Sequence, residues 1–205
     1  MKNKTLIRFV ESFILLPVMT MSGASVGPIS QAVIDVVNTP SSLLSQKQSI
    51  EASDLLALNQ AIDQKNKADA IDTYFEARSM PLKGTGMKMV LEAEKNELDW
   101  RLLPAIAIRE STGGKFACKK VTYNSFGWGS CKIGFDSNEK AIEIVARNLG
   151  GNNPNTDHHY AGKTTKQILQ KYNPPSVVPR YAEQVMSIMD DIGKIDEIVI
   201  PNATT

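Results

Sequence analysis

The sequence has little of what several classes of function require. Among its 205 residues are 2 cysteines and 2 histidines, aromatic residues make up 6%, and the formal net charge is +1. So few cysteine and histidine side chains cannot supply a four-ligand zinc site at the usual spacing, and we predict no metal and no other cofactor. The balanced charge offers no basic face, which argues against nucleic acid as a partner.

Long apolar runs are also missing after the first 24 residues. Within those 24 residues, Lys2, Lys4 and Arg8 precede an apolar segment, and small residues that end at Ala24 follow it. This is the order of an export signal. We predict residues 1–24 to be a signal peptide cleaved after Ala24, and the protein to be secreted or held in the cell envelope. A permanent membrane anchor is the alternative, but the run is short and Pro17 interrupts it.

The two cysteines, Cys118 and Cys131, are close in sequence. In an exported protein we expect them to form a disulfide that closes a loop of about 14 residues, which is worth about 3 kcal/mol on the chain-entropy model. Two buried free thiols are the alternative.

Apolar spacing is helical from residue 67 to residue 193. Residues 25–66 are predicted to be a linker or a marginal helix, and residues 194–205 a tail. Helices are expected over about 68–79, 86–96, 99–112, 136–149, 164–173 and 179–193, around a non-helical stretch at 113–134. Strand signals are limited to that stretch and to residues 198–200. The sequence therefore predicts a mainly α-helical domain with a small irregular or β-like loop region pinned by a disulfide.

Helix starts are indicated by capping residues. Asp99 is a good N-cap for the third helix, Asp136 with Glu139 resembles a capping box, and Thr164 with Gln167 suggests another.

Glu110 is the most informative acidic residue. It continues the i, i+4, i+8 spacing of Leu102 and Ile106, so that a carboxyl group stands where the pattern predicts a hydrophobic residue. Burial and the negative end of the helix dipole would both raise its pKa. A carboxyl group that stays protonated near neutral pH can protonate the leaving oxygen in glycosidic cleavage. A surface glutamate, or one paired with Arg109, is the alternative.

Three segments resemble one known family in order and spacing. They are residues 106–111 with Gly113 and Gly114, residues 124–129, and Tyr172 with residues 179–182. The first, Ile-Ala-Ile-Arg-Glu-Ser, is similar to the catalytic-helix signature of glucosaminidase and lytic-transglycosylase domains of the lysozyme-like superfamily. The second is similar to the Asn-x-Phe-Gly segment of their cleft, and the third to their paired-tyrosine segment. The resemblance covers residues 86–192.

This resemblance implies a lysozyme-like catalytic domain over residues 67–193. It also implies that Glu110 is the catalytic acid, that Tyr181 and Tyr172 lie beside the scissile bond, and that the substrate alternates N-acetylglucosamine and N-acetylmuramic acid. The family usually has an aromatic residue between the glycines after Glu-Ser. Here Thr112 precedes two adjacent glycines, which leaves open the bond that is cut and the subfamily.

The loop between the cysteines has residue types that suit a sugar. Phe126 and Trp128 offer flat faces for stacking, the flanking glycines allow close approach of the backbone, and Asn124 could hydrogen-bond an acetamido group. Tyr160, further along the chain, is predicted to line the cleft wall. The alternative is that Phe126 and Trp128 fill the core beneath the loop.

A second catalytic carboxylate is harder to identify. The candidates Asp136, Glu139 and Glu143 are better explained as a helix cap and a solvated face, and His158 and His159 as surface loop residues. With one acid, hydrolysis could use weakly activated water or the substrate's acetamido group. Alternatively, the muramic 6-hydroxyl could attack and give an anhydro product, as in a lytic transglycosylase.

The functional hypothesis is thus a monomeric peptidoglycan glycosidase with no stable membrane span after signal removal. A non-catalytic wall-binding member of the same fold, and a helical envelope adaptor acting through residues 25–66, are the alternatives. An inward-facing acid at Glu110 argues against the wall-binding protein, whereas the adaptor predicts that residues 25–66 alone bind a partner.

Overall fold

The structure is a computed structural model that describes residues 41–199, with side chains described from Ala52 to Glu197. The predicted signal peptide, its cleavage site and the final residues of the predicted tail lie outside this range. Nearly all the described residues belong to one compact unit that begins at Ser45. No helix in the described part of the chain is long and apolar enough to cross a membrane.

The described chain is mainly α-helical, which confirms the predicted class. Seven helices follow one another: α1 (Ser41–Ala77), α2 (Gly86–Lys95), α3 (Leu102–Ser111), α4 (Asn138–Leu149), α5 (Asp157–Tyr160), α6 (Thr165–Tyr172) and α7 (Tyr181–Val199). A short 3₁₀ turn, Trp128–Cys131, is the only other regular element among residues 41–199, where no strand occurs. The strand expected at 198–200 is wrong for its first two residues, which belong to α7.

Helix α3 lies at the centre of the core. Every residue from Leu102 to Ala107 is buried, which is the pattern of a helix surrounded by others rather than lying on a surface. It packs mainly against α7 and also contacts α2, while α6 packs on α7 and α4 on α2. Only the last turn of α3 reaches the surface, where Arg109 is exposed and Glu110 is half-buried. The central helix therefore carries Glu110 to the edge of the core.

Two helices are longer than predicted. Helix α1 begins at Ser41, so the described part of residues 25–66, predicted to be a linker or a marginal helix, is helical. Its core-facing residues, Ile71, Tyr74 and Phe75, are buried as expected, whereas residues 52–63 are all exposed. Helix α7 continues six residues past Gly193. Gly193 can stay inside the helix because glycine costs only about 1 kcal/mol there, which packing can offset.

Of the three predicted helix N-caps, one is present as expected and two lie at other residues. Thr164 and Gln167 form the expected capping box of α6. At α4 the cap is Ser137, one residue after Asp136, and its hydroxyl accepts a hydrogen bond from the backbone N–H of Lys140. The N-cap of α3 is Arg101, two residues after Asp99, so the predicted cap at Asp99 is wrong. The Asp99 carboxylate instead accepts hydrogen bonds from the backbone N–H and guanidinium of Arg101.

Candidate active site

The last turn of α3 fixes the position of Glu110. Thr112 takes the left-handed conformation (φ 54°, ψ 50°) that ends the helix, a position usually held by glycine. Gly113 follows with φ 61°, and its N–H donates to the carbonyl of Ala107. The predicted end of the helix at the paired glycines is thus confirmed, with Thr112 making the first left-handed step.

Ser111 connects this turn to the loop between Cys118 and Cys131, which we call the cysteine loop. The sequence did not predict this role. Its buried hydroxyl lies 2.7 Å from the carbonyl oxygen of Ser125 and 3.0 Å from that of Ala107, and it accepts a hydrogen bond from the N–H of Gly114. The signal available in the sequence was a serine, with its short polar side chain, directly after Glu110. Because Ser125 is two residues before Gly127, this contact places the loop beside the Glu110 carboxyl.

Tyr181, the first residue of α7, contacts the Glu110 carboxyl group. The phenol is 2% exposed and donates a hydrogen bond of 2.6 Å to Oε1 of Glu110. Burial, and then the Glu110 charge, raise the pKa of Tyr181 well above its usual 10.0. The raised pKa keeps the Tyr181 phenol protonated as the hydrogen-bond donor to Glu110. The structure brings together two of the predicted site residues that are 71 positions apart in the sequence.

The pKa of Glu110 is raised above its usual 4.5. Burial is the largest cause, because the charged carboxylate loses water. The hydrogen bond from Tyr181 and the charge of Arg109 oppose the shift, and each is the smaller effect. The Arg109 side chain turns to α7, where its Nε donates to Oε1 of Gln184 at 3.0 Å and its guanidinium lies 5.8 Å from the Tyr181 ring centroid. No ion pair between Arg109 and Glu110 is formed in the described structure.

Gly127 brings the loop backbone close to the Glu110 carboxyl group. A Cβ atom added there would lie 2.9 Å from Oε2 of Glu110, and the residue has φ +63°. The sequence suggested that this glycine lets the backbone approach a ligand. In the structure it lets the backbone approach Glu110.

We expect Gly127→Ala to displace the Glu110 carboxyl, and so to lower any activity that depends on it by ten-fold or more. The left-handed φ adds a destabilisation of about 1 kcal/mol. Gly162→Ala is the matched control, because Gly162 has φ +66° but nothing within 4 Å of an added Cβ. Urea unfolding should show similar losses for the two variants. Equal activities would mean that the contact with Glu110 has no functional weight.

A groove of about 270 Å³ adjoins Gly127, and its walls hold three of the predicted substrate-binding aromatics. The lining residues are Gly127, Trp128, Gly129, Tyr160 and Tyr172. The ring centroids of Trp128 and Tyr172 are 5.8 Å apart, and the Tyr172 ring stacks on Tyr181 at 6.0 Å with an interplanar angle of 10°. The Tyr172 hydroxyl donates to the carbonyl of Phe126, which attaches the loop to α6.

Two other predicted substrate residues have structural positions instead. Asn124 has no exposed surface, and its amide donates to the carbonyls of Trp128 and Ile133 while its oxygen accepts from the N–H of Trp128. This side chain shapes the loop and is not free to bind an acetamido group. Phe126 is 1% exposed and belongs to the core, as the alternative interpretation held. Trp128 is half-buried and lines the groove.

The remaining charged candidates lie on the surface. Glu139 and Glu143 are exposed or half-buried at the surface of α4, and local hydrogen bonds lower the pKa of each, from the backbone for Glu139 and from Lys140 for Glu143. The ring centroids of His158 and His159 lie 3.9 Å apart in α5, with the rings tilted by 47°. Among the described residues no carboxyl group lines the groove, which Glu110 meets only through its contact with Gly127, and no three Asp, Glu, His or Cys side chains are grouped to hold a metal.

The predicted disulfide between Cys118 and Cys131 is present, with its Cα atoms 5.5 Å apart. It closes the loop that carries Gly127 and Trp128, so the groove wall is covalently restrained. No protein-family model, curated protein sequence or solved structure matches the chain.

Proposed function

We propose that the chain is a peptidoglycan glycosidase with a lysozyme-like fold, and that Glu110 is its general acid. The substrate bond is a β-1,4 linkage between N-acetylglucosamine and N-acetylmuramic acid. The observation that carries the proposal is the half-buried Glu110 carboxyl, held by the Tyr181 phenol next to an aromatic groove. Its raised pKa keeps a larger fraction protonated as the pH rises, which an acid catalyst needs.

The two carboxyl oxygens have different surroundings. Oε1 accepts the hydrogen bond from Tyr181, while among the described residues Oε2 accepts none and lies against Gly127 in the groove wall. Oε2 is therefore the oxygen free to carry the proton. In the proposed step this proton moves to the glycosidic oxygen as the bond from that oxygen to the anomeric carbon breaks. Tyr181 then stabilises the carboxylate that remains.

The groove suits the neutral part of the substrate. Trp128, Tyr160 and Tyr172 present ring surface from three separate segments, and sugar rings pack well against such faces. No charged side chain is among its lining residues. We therefore propose that one or two sugar units occupy the groove beside Glu110.

The nucleophile comes from the substrate or from water. No second carboxyl group adjoins Glu110 in the described chain, which favours attack by the muramic 6-hydroxyl or by an acetamido oxygen. In the first case the hydroxyl oxygen bonds to the anomeric carbon, its proton returns to Glu110, and the product is an anhydro-muramic end. A lytic transglycosylase is for this reason the second candidate.

Purified cell-wall sacculi test the proposal. We expect the protein to release soluble glycan fragments, and mass spectrometry of their ends to distinguish reducing glucosamine, reducing muramic acid and anhydro-muramic acid. Anhydro ends would assign the lytic transglycosylase. Binding to sacculi without any released fragment would contradict the enzyme and support a non-catalytic wall-binding protein.

Tyr181→Phe is expected to lower activity about ten- to hundred-fold, because a hydrogen bond to a charged group is worth about 1.5–3 kcal/mol. It should also move the alkaline limb of the pH–rate profile to higher pH. The Tyr181 hydrogen bond lowers the pKa of Glu110, so its loss leaves the acid protonated to higher pH.

Tyr172→Phe is the matched control for that experiment. It removes a hydroxyl that bonds to the Phe126 carbonyl and not to Glu110. We expect reduced activity with the alkaline limb unmoved. A limb that moves equally in both variants would show that Tyr181 acts only through packing.

A further inference from the structure

The cysteine loop and the residues that flank it carry lysines without acidic residues, a pattern that residues 158–182 share with four basic side chains and no acid. Residues 111–135 contain 4 lysines and no aspartate or glutamate, in a sequence whose lysines and arginines (23) nearly balance its acids (22). Lys115, Lys119, Lys120 and Lys132 are all exposed. In the described structure none of the four forms an ion pair, although nine pairs occur elsewhere. The proposed catalysis at Glu110 uses none of them.

The same loop exposes large apolar side chains. Phe116 is 74% exposed, Tyr123 is 49% exposed and Ile133 is 45% exposed. Removing such apolar surface from water would be favourable, so exposed side chains of this size mark a surface that can bind an apolar partner. Lysine and apolar side chains are therefore interleaved on one exposed segment.

The segment is held in a fixed arrangement. The disulfide brings Cys118 and Cys131 to a Cα separation of 5.5 Å, which places Lys119 and Lys132 on adjoining backbones. Ile133 packs against Gly129, since a Cβ added to that glycine would meet its side chain at 2.5 Å. Binding by this segment would need little additional ordering of the backbone.

We propose that this lysine loop, residues 115–133, docks on the surface of an anionic lipid bilayer. The lysines match the negative headgroups, and Phe116, Tyr123 and Ile133 match the boundary between headgroups and acyl chains. A soluble anionic polymer would need the lysines alone, and the exposed apolar groups decide in favour of lipid. The inference does not depend on Glu110 being catalytic.

Docking would orient the groove. Trp128 and Gly129 belong both to the loop and to the groove wall, so a protein bound through this loop holds the groove next to the membrane. If the proposed glycosidase activity is also correct, the glycan strands nearest the membrane would be cleaved first.

Vesicle binding by the full chain tests the proposal. The vesicles contain equal amounts of phosphatidylglycerol and phosphatidylcholine, with pure phosphatidylcholine as the neutral comparison. Lys119→Gln with Lys132→Gln is compared with Lys163→Gln plus Lys171→Gln, which removes two exposed lysines that form no ion pair in the described structure. All proteins carry the same residues 1–40, so a difference in binding between the two pairs comes from the substituted lysines.

The loop pair should weaken binding to the anionic vesicles about 25-fold, or five-fold for each lysine, and the control pair less than two-fold. Phe116→Ser should weaken it about ten-fold, whereas Val177→Ser, which alters a side chain 71% exposed outside the loop, should have little effect. Hydrogen exchange of the wild type should show protection of residues 115–133 on the anionic vesicles.

Equal effects of the two lysine pairs, or no protection of the loop, would overturn the proposal. So would full retention of binding by Phe116→Ser together with displacement of the protein by soluble polyglutamate. That combination would identify an anionic polymer as the partner. Helical circular dichroism verifies that each variant is folded, and exposed sites such as these should leave it unchanged.

Discussion

Glu110→Gln is expected to lower the rate of glycan release by about 10³-fold, within the 10²–10⁴-fold range of general acid catalysis. The glutamine can still accept the hydrogen bond from Tyr181 through its amide oxygen, so the geometry is retained. What it lacks is a proton to give to the leaving oxygen. Clearing of sacculi and release of soluble fragments measure the effect.

Glu143→Gln is the matched control, because Glu143 is a surface residue that pairs with Lys140. It should retain full activity. Clearing of sacculi by Glu110→Gln at the wild-type rate would remove Glu110 from the proposed mechanism.

The stability of Glu110→Gln provides an independent check on the environment of the carboxyl. The native pKa of Glu110 is raised, so the wild-type protein loses stability as the pH rises from about the usual 4.5 through the native pKa. Glutamine has no such loss. The variant should therefore match the wild type at low pH and exceed it at pH 7, by at most about 1 kcal/mol because the carboxyl is partly solvated.

Removal of the disulfide should have the largest effect on stability. Replacing both Cys118 and Cys131 with serine frees a loop of about 14 residues in the unfolded chain, and the expected loss is about 3 kcal/mol. Activity should fall as well, because Gly127 and Trp128 lie within the released loop. Urea unfolding measures the stability, and sacculus clearing measures the activity.

Reduction of the wild type with dithiothreitol should reproduce the stability loss of the double-serine variant, and should leave that variant unchanged. A loss below about 1 kcal/mol in both experiments would mean that the hydrogen bonds of Asn124 and Ser111 hold the loop without the covalent link.

The sequence predicted the elements of this fold better than their boundaries. The periodic apolar spacing of α3, α4, α6 and α7 is a local property, and the helices occur where it was found. The start of α1 was missed because residues 52–63 are all exposed and so leave no amphipathic pattern. The cap of α4 was misplaced by one residue since Asp136 and Ser137 are both good capping residues, and only tertiary packing selects between them.

The sequence also predicted some features of the candidate site and not others. The position of Glu110 followed from its spacing on one helix, and the aromatic groove residues Trp128, Tyr160 and Tyr172 were all anticipated. Asn124 was misjudged because a polar side chain in a loop can face a ligand or bond to the loop itself, and the sequence does not distinguish these. The contact between Gly127 and Glu110 joins residues from different segments and has no local signature.

Folding itself supplies the raised pKa of Glu110. Glu110 and Tyr181 are 71 positions apart, so in an unfolded polypeptide the glutamate is fully hydrated and has no phenol beside it. Its pKa rises only when folding buries the carboxyl group. The proposed wall-cleaving capacity would thus be absent from the unfolded chain and would arise only in the folded molecule.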